Sequence, residues 1–300
     1  MRILTPAEID EAASLLIEEE IVGFPTETVY GLGARIFSKK AIEKIFVAKQ
    51  RPVDNPLIAH IAHVEDVHKI ARDIPEEFAL LAQAFWPGPL SILLSARKEV
   101  PWECRANLPT IAVRMPEHSL ALALIKKVGE PLVAPSANLS GKPSATCAKH
   151  VVEDFAGKIQ AVLDGGLCRE GIESTVLSLE DPTRPLILRR GVISEEILSS
   201  FLKRPVIFSG SGMVKAPGMK YRHYAPKTPI RLVFREQFAE EKSPSKLFLQ
   251  RKDGSLSPRT FYDMLRQADH RSMDEIVILC DQETETHRAF FDRITKAASL

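Results

Sequence analysis

The chain has 300 residues, 45% of them hydrophobic and 26% charged, with a formal net charge of +1. That length suffices for one large or two modest domains, and the near-neutral balance excludes a global field that would draw the protein onto nucleic acid or an anionic membrane. Cys104, Cys147, Cys168 and Cys280 are scattered with no CxxC pair, which disfavours a zinc site and fits free buried thiols in a reducing cytosol.

Thr5-Pro6-Ala7-Glu8 reads as a capping box with Pro at the first helical position, and Ile9, Ala12, Ala13 and Leu16 then share one helical face. Glu18, Glu19 and Glu20 are too acidic for an export signal, and no apolar run approaches the ~20 residues that cross a bilayer. A cytoplasmic protein without membrane contact is expected. Short apolar runs at 21–24, 57–61, 90–94, 110–114, 132–134, 161–163 and 174–179 read as strands, with helical spacing over 39–49, 75–85 and 117–128. The connections vary from hairpin-short to helix-long, which predicts an α/β fold with a mixed sheet. A Gly/Ser-rich stretch from Ser209 to Gly218 separates this from strands at 230–234, 246–249 and 275–279 and helices near 259–268 and 285–298. The expected organisation is therefore a first domain over 1–204, a linker over 205–229 and a small α/β unit over 230–300.

Chemistry concentrates in loops. Lys49-Gln50-Arg51-Pro52-Val53-Asp54-Asn55-Pro56 sets two cations on a stiff loop, a suitable anion site; their alternative role is to complement the C-terminus of the preceding helix. Pro135-Ser136-Ala137-Asn138-Leu139-Ser140-Gly141-Lys142-Pro143-Ser144 adds hydroxyls and an amide. It is no Walker A loop, because Ser136 stands at its first Gly position and Pro143 replaces its Ser/Thr. Gly31-Leu32-Gly33 fails as a dinucleotide fingerprint with Ile36 at the third Gly. The two glycines of Pro25-Thr26-Glu27-Thr28-Val29-Tyr30-Gly31-Leu32-Gly33 call for close backbone approach, either to another element or to a ligand. His60 ends a buried strand, where a core role is the commoner one. Arg114 ends another, where a cation needs an anionic partner or solvent. Glu173-Ser174-Thr175-Val176 follows a Gly-rich approach, and no GxSxG elbow is present. A cavity rich in cations and hydroxyls but poor in nucleophiles suits phosphoryl-group chemistry.

Assembled, these motifs resemble the threonylcarbamoyl-AMP synthases in their two-domain form. The resemblance is dense over about residues 5–225, through PTETVYGLG, K-x-R-P-x-x-NPL, WPGPL, Thr110 to Arg114, PSAN-x-SG and ESTV, and Tyr221-Arg222-His223-Tyr224-Ala225-Pro226 contains the family's RHYAP signature. The C-terminal unit resembles the accessory domain more weakly. The resemblance implies a YrdC-like twisted mixed sheet with a concave cavity flanked by helices, plus a Rossmann-like C-terminal domain. It implies formation of threonylcarbamoyl-adenylate and pyrophosphate from L-threonine, bicarbonate and ATP, with Mg²⁺ accompanying the nucleotide. A downstream tRNA threonylcarbamoyl transferase would use the product, with weak tRNA contact at most. Carried over by position, Thr28, His60, Arg114, Ala134 (through its backbone) and Ser174 surround threonine. Arg51, Asn55, Thr110, Ser136, Ser144, Arg189 and Tyr224 surround ATP, and Lys49 joins Arg51 on the phosphates as the catalytic pair. Gln50 stands where Gly is usual, and Arg190 follows Arg189 where Pro is common. Residues 209–226 are expected to form a lid with Tyr224 against ATP, the alternative being that Tyr221 and Tyr224 dock the domains together. Two other functions stay open: a non-catalytic RNA-binding module, and a carbamoyl transferase acting from carbamoyl-adenylate.

Overall fold

The computed structural model describes residues 1–209, 223–234 and 243–299. Most of the expected linker and lid, including Lys215, Lys220 and Tyr221, lies outside the described residues.

The strands in chain order are β1 (Arg2–Leu4), β2 (Val22–Phe24), β3 (Gly31–Arg35), β4 (Ile58–His60), β5 (Leu90–Ser95), β6 (Thr110–Arg114), β7 (Leu132–Ala134), β8 (Ala161–Leu163), β9 (Thr175–Ser178), β10 (Leu186–Arg189), β11 (Ile207–Phe208), β12 (Ile230–Val233), β13 (Lys246–Leu249) and β14 (Glu275–Leu279). Among the described residues the first eleven form one mixed sheet in the order β1-β8-β2-β3-β7-β4-β6-β5-β9-β10-β11, and the last three form a parallel sheet in the order β12-β14-β13. Four strands of the large sheet, β1, β3, β10 and β11, have no counterpart among the apolar runs picked out above. β3 hides behind its two glycines. A Cβ on Gly31 or Gly33 would come within 2.8 or 2.9 Å of the Phe24 ring, so the close approach those glycines permit is to the neighbouring strand. β11 falls inside the stretch expected as linker.

Alternation along the central strands separates two faces. Ala59, Leu90, Ile92, Leu94, Ile111, Val113 and Leu177 join the main core with the helices Lys39–Lys49 and Glu76–Phe85. On the other face, Ile58, Leu93, Ala112, Val176 and Leu188 form a small separate apolar cluster. That second face carries the polar side chains His60, Ser91, Thr110, Arg114 and Ser174, and it is the floor of the candidate site. The C-terminal unit packs its helices Pro258–His270 and Arg288–Ala298 into a cluster that also takes in Val29, Ile172 and Tyr224. No helix among the described residues is long and apolar enough to cross a membrane. Cys104, Cys168 and Cys280 are buried free thiols, and Cys147 is half-buried.

Candidate active site

The parallel register of β4 and β6 sets His60 directly beside Arg114, each at the last residue of its strand. β9 begins, and β10 ends, at the same end of the sheet, bringing Glu173, Ser174 and Arg189 there. β2 and β7 finish at the opposite end of the strands, since Ala134 pairs with Ile58 and Phe24 with Gly31. The loops that follow them fold back across the sheet face: Arg114 Nη1 donates to Thr28 Oγ1 at 2.9 Å, and Ser144 Oγ donates to Glu173 at 2.6 Å. The result is an open cleft lined by Thr28, Arg51, His60, Arg114, Ala134, Ser136, Ser144, Ser174, Arg189 and Tyr224 among others. These are ten of the thirteen positions named from the sequence.

The remaining three are close by but differently placed. Lys49 is buried, and its Nζ donates to the carbonyls of Ser136, at 2.6 Å, and Asn138. Ser140 N–H also donates to Lys49 O at 3.0 Å. Lys49 therefore ties the 136–144 loop to the end of its own helix and does not line the cleft. Burial, and then the neighbouring Arg51 charge, push its pKa well below the usual lysine range. Asn55 and Thr110 are also buried off the lining, yet Asn55 Oδ1 and Thr110 Oγ1 have no hydrogen-bond partner among the described residues. Unpaired buried polar atoms are costly, so each needs a partner in ordered water, an ion or a ligand.

Gln50 adopts φ 52° and ψ 44° as the C-cap of Lys39–Lys49. That left-handed conformation is the one glycine adopts without strain, which explains why Gly is usual there. Arg189 lines the cleft, its Nε donating to Ser174 O and Nη2 to Ser174 Oγ, both at 3.1 Å. Arg190 turns the other way, to Glu195 at 2.6 Å and over the Phe208 ring at 4.0 Å. Tyr224 lines the cleft and also stacks on Tyr262 of the C-terminal unit, with ring centroids 5.4 Å apart.

Electrostatics divide the cleft's charged groups into paired and positioned. Burial, reinforced by the Arg114 charge, lowers the His60 pKa to about 3, so the ring is neutral. Its Nδ1 lies 3.1 Å from Ile58 O, an acceptor, so Nδ1 carries the proton and Nε2 is left as the ring's acceptor. Glu27, absent from the sequence-derived set, forms a buried ion pair with Arg114 Nη2 at 2.5 Å. Glu173, also missed, is pushed up by burial but held down to about 2 by the guanidiniums of Arg293 and Arg189. A buried arginine demands an anion, so Arg114 pointed to some carboxylate; nothing in the sequence said which.

The comparisons agree with this architecture. The family model Sua5_yciO_yrdC, described as telomere recombination, matches residues 14–191, and the model described as threonylcarbamoyl-AMP synthase, C-terminal domain, matches 192–299. The threonylcarbamoyl-AMP synthase of Bacillus subtilis is 38% identical over 97% of this chain and 93% of that relative. The chain belongs to the threonylcarbamoyl-AMP synthase family. The synthase of Pyrococcus abyssi is 48% identical over 74% of this chain and 66% of that relative. The crystal structure of P. abyssi Sua5 complexed with L-threonine superposes with a TM-score of 0.90 over 99% of this chain and 98% of that one, at 38% identity. Escherichia coli YciO shares the fold of the first unit, with a TM-score of 0.58 over 65% of this chain at 22% identity.

Proposed function

We propose that this synthase-family chain forms L-threonylcarbamoyl-adenylate and pyrophosphate from L-threonine, bicarbonate or CO₂, and ATP. The adenylate would then be used in a cytoplasmic setting by a separate transferase that modifies tRNA. The observation that carries this reading is the juxtaposition, in one cleft, of the Arg114–Thr28–His60 group with the loop bearing Arg51 and the loop bearing Ser136 and Ser144. The first group suits an amino acid: a guanidinium for its carboxylate, and the Nε2 acceptor of a neutral imidazole for its amine or hydroxyl. The two loops suit a nucleotide, with Arg51 and Arg189 as cations.

The neutral amine of threonine adds to CO₂ to give a carbamate with loss of one amine proton to solvent, a carbamate oxygen attacks the α-phosphorus, and the bond to pyrophosphate breaks. Carbamates are labile in water, so holding both reactants in one cleft supplies proximity as well as shelter. Arg51 and Arg189 would stabilise charge on the departing pyrophosphate. Lys49 acts at one remove, by holding the loop that carries Ser136. No side chain is assigned as a base. The cleft carboxylate Glu173 and the buried Glu27 beside Thr28 already face arginines. Mg²⁺ would accompany the ATP phosphates, where it would add charge neutralisation.

The test is pyrophosphate release measured with ATP, bicarbonate and each amino acid in turn. Threonine- and bicarbonate-dependent release is expected. A non-catalytic RNA-binding module would release none, and a transferase acting from carbamoyl-adenylate would release pyrophosphate only when a carbamoyl donor is added, with or without threonine.

A further inference from the structure

Glu173 is held from both units of the chain. Oε1 accepts from Ser144 Oγ at 2.6 Å, while Oε2 accepts from Arg293 Nε at 2.7 Å and Tyr262 OH at 3.0 Å. Arg293 is fully buried and spans the junction, its Nη2 donating to Arg190 O at 2.7 Å. Tyr262 is also fully buried. The seat of the C-terminal unit is tight at this point. Gly171 has φ +75°, and a Cβ there would stand 2.4 Å from Pro258 O and 2.5 Å from Arg259 Cα. The start of the helix Pro258–His270 thus rests against the chain two residues before Glu173.

We propose that Arg293 and Tyr262 are positioning residues of the synthase site: they fix the Glu173 carboxylate, and Glu173 fixes the Ser144 hydroxyl. A serine hydroxyl has one proton. With that proton given to a carboxylate, Ser144 offers only lone pairs to whatever else it meets in the cleft. It is then complementary to a donor of the nucleotide, a ribose hydroxyl or the adenine amine, and not to a phosphate oxygen. The C-terminal unit is by this account part of the nucleotide subsite and not an appendage. The inference rests on the ATP-binding reading given above.

Tyr262→Phe removes one hydroxyl and keeps the ring stacked on Tyr224, so it tests the link with little threat to folding. Its KM for ATP, read by pyrophosphate release, should rise about tenfold, as expected for loosening a charge-assisted hydrogen bond. The KM for threonine should stay as in the wild type, and the Tm should fall by no more than a few degrees, as for one lost buried hydrogen bond. Arg293→Lys, which keeps the charge but loses the fork, should move KM for ATP in the same direction. In a Ser144→Ala background, Tyr262→Phe should add less than about a twofold effect, because the residue it acts through is gone. Wild-type KM for ATP in Tyr262→Phe, or an undiminished effect of that change in the Ser144→Ala background, would overturn the positioning role while leaving the synthase reading intact. A wild-type protein that neither binds ATP by calorimetry nor releases pyrophosphate would overturn both.

Discussion

His60 and Arg114 lie directly opposite each other on adjacent parallel strands, so a permanent cation sits beside a buried imidazole. Burial and that cation lower the His60 pKa from its ordinary 6.5 to about 3. Unfolded, the ring binds a proton below pH 6.5; folded, it does not until about pH 3. Stability from this group is thus present above pH 6.5 and lost as the pH falls towards 3. The slope is at most about 1.4 kcal/mol per pH unit. Urea melts between pH 7 and 5 should show this loss together with that of His118, His150 and His223, whose pKa values burial also lowers, and His60→Asn should make the slope shallower. The interval avoids Glu173, whose contribution is lost only below its ordinary 4.5. Equal slopes in the two proteins would mean that His60 titrates normally.

Arg114→Lys is the informative substitution at the amino-acid end of the cleft. Alanine would leave Glu27, only 2% exposed, as a buried unpaired carboxylate, and its loss of about 3–5 kcal/mol of stability would obscure any binding effect. Lysine retains the charge for Glu27 and forfeits the guanidinium fork. Threonine affinity should fall by about one to two decades, corresponding to roughly 1.5–3 kcal/mol, with folding preserved. Calorimetric titration with threonine reads this directly, and unchanged affinity would remove Arg114 from the threonine pocket.

At Gln50 the left-handed φ of 52° carries a steric cost that glycine does not have. Gln50→Gly should therefore raise stability by up to about 1 kcal/mol, offset in part by the greater entropy of an unfolded glycine. Thermal melts at neutral pH measure the difference. A marked destabilisation would show that the Gln50 side chain has a role of its own.

Lys49 should behave as a strut for the loop carrying Ser136. Lys49→Met removes its donor from the Ser136 and Asn138 carbonyls and should cost about 1–3 kcal/mol. The KM for ATP should rise with it, because the loop loosens. A collapse of kcat at unchanged KM and Tm would instead indicate that Lys49 reaches the phosphates directly.

Much of the site was legible because its parts announce themselves chemically. Arg114 at the end of an apolar strand, two cations followed by two prolines, and clustered hydroxyls beside Gly141 all have few structural uses. The central strands β4 to β9 were legible as apolar runs bounded by turns, whereas β3 was masked by the glycines that make room for Phe24, and β11 by its position in an apparent linker. Glu27 and Glu173 were not found because an acidic residue in a polar loop looks solvated until its arginine is placed. The participation of Arg293 and Tyr262 had no local signal at all. Both sit on amphipathic helices of a separate unit, and only the docking of that unit, past Gly171, brings them to Glu173.

The central claim, that the cleft joins carboxylated threonine to AMP, is tested most directly by following the carbon. The protein would be incubated with ATP, Mg²⁺, L-threonine and ¹³C-bicarbonate, quenched, and the nucleotides analysed by mass spectrometry. The account predicts a labelled adenylate containing one threonine, one bicarbonate-derived carbon and AMP, formed in step with pyrophosphate and absent when threonine is omitted. Pyrophosphate release with threonyl-AMP as product, lacking the labelled carbon, would contradict it.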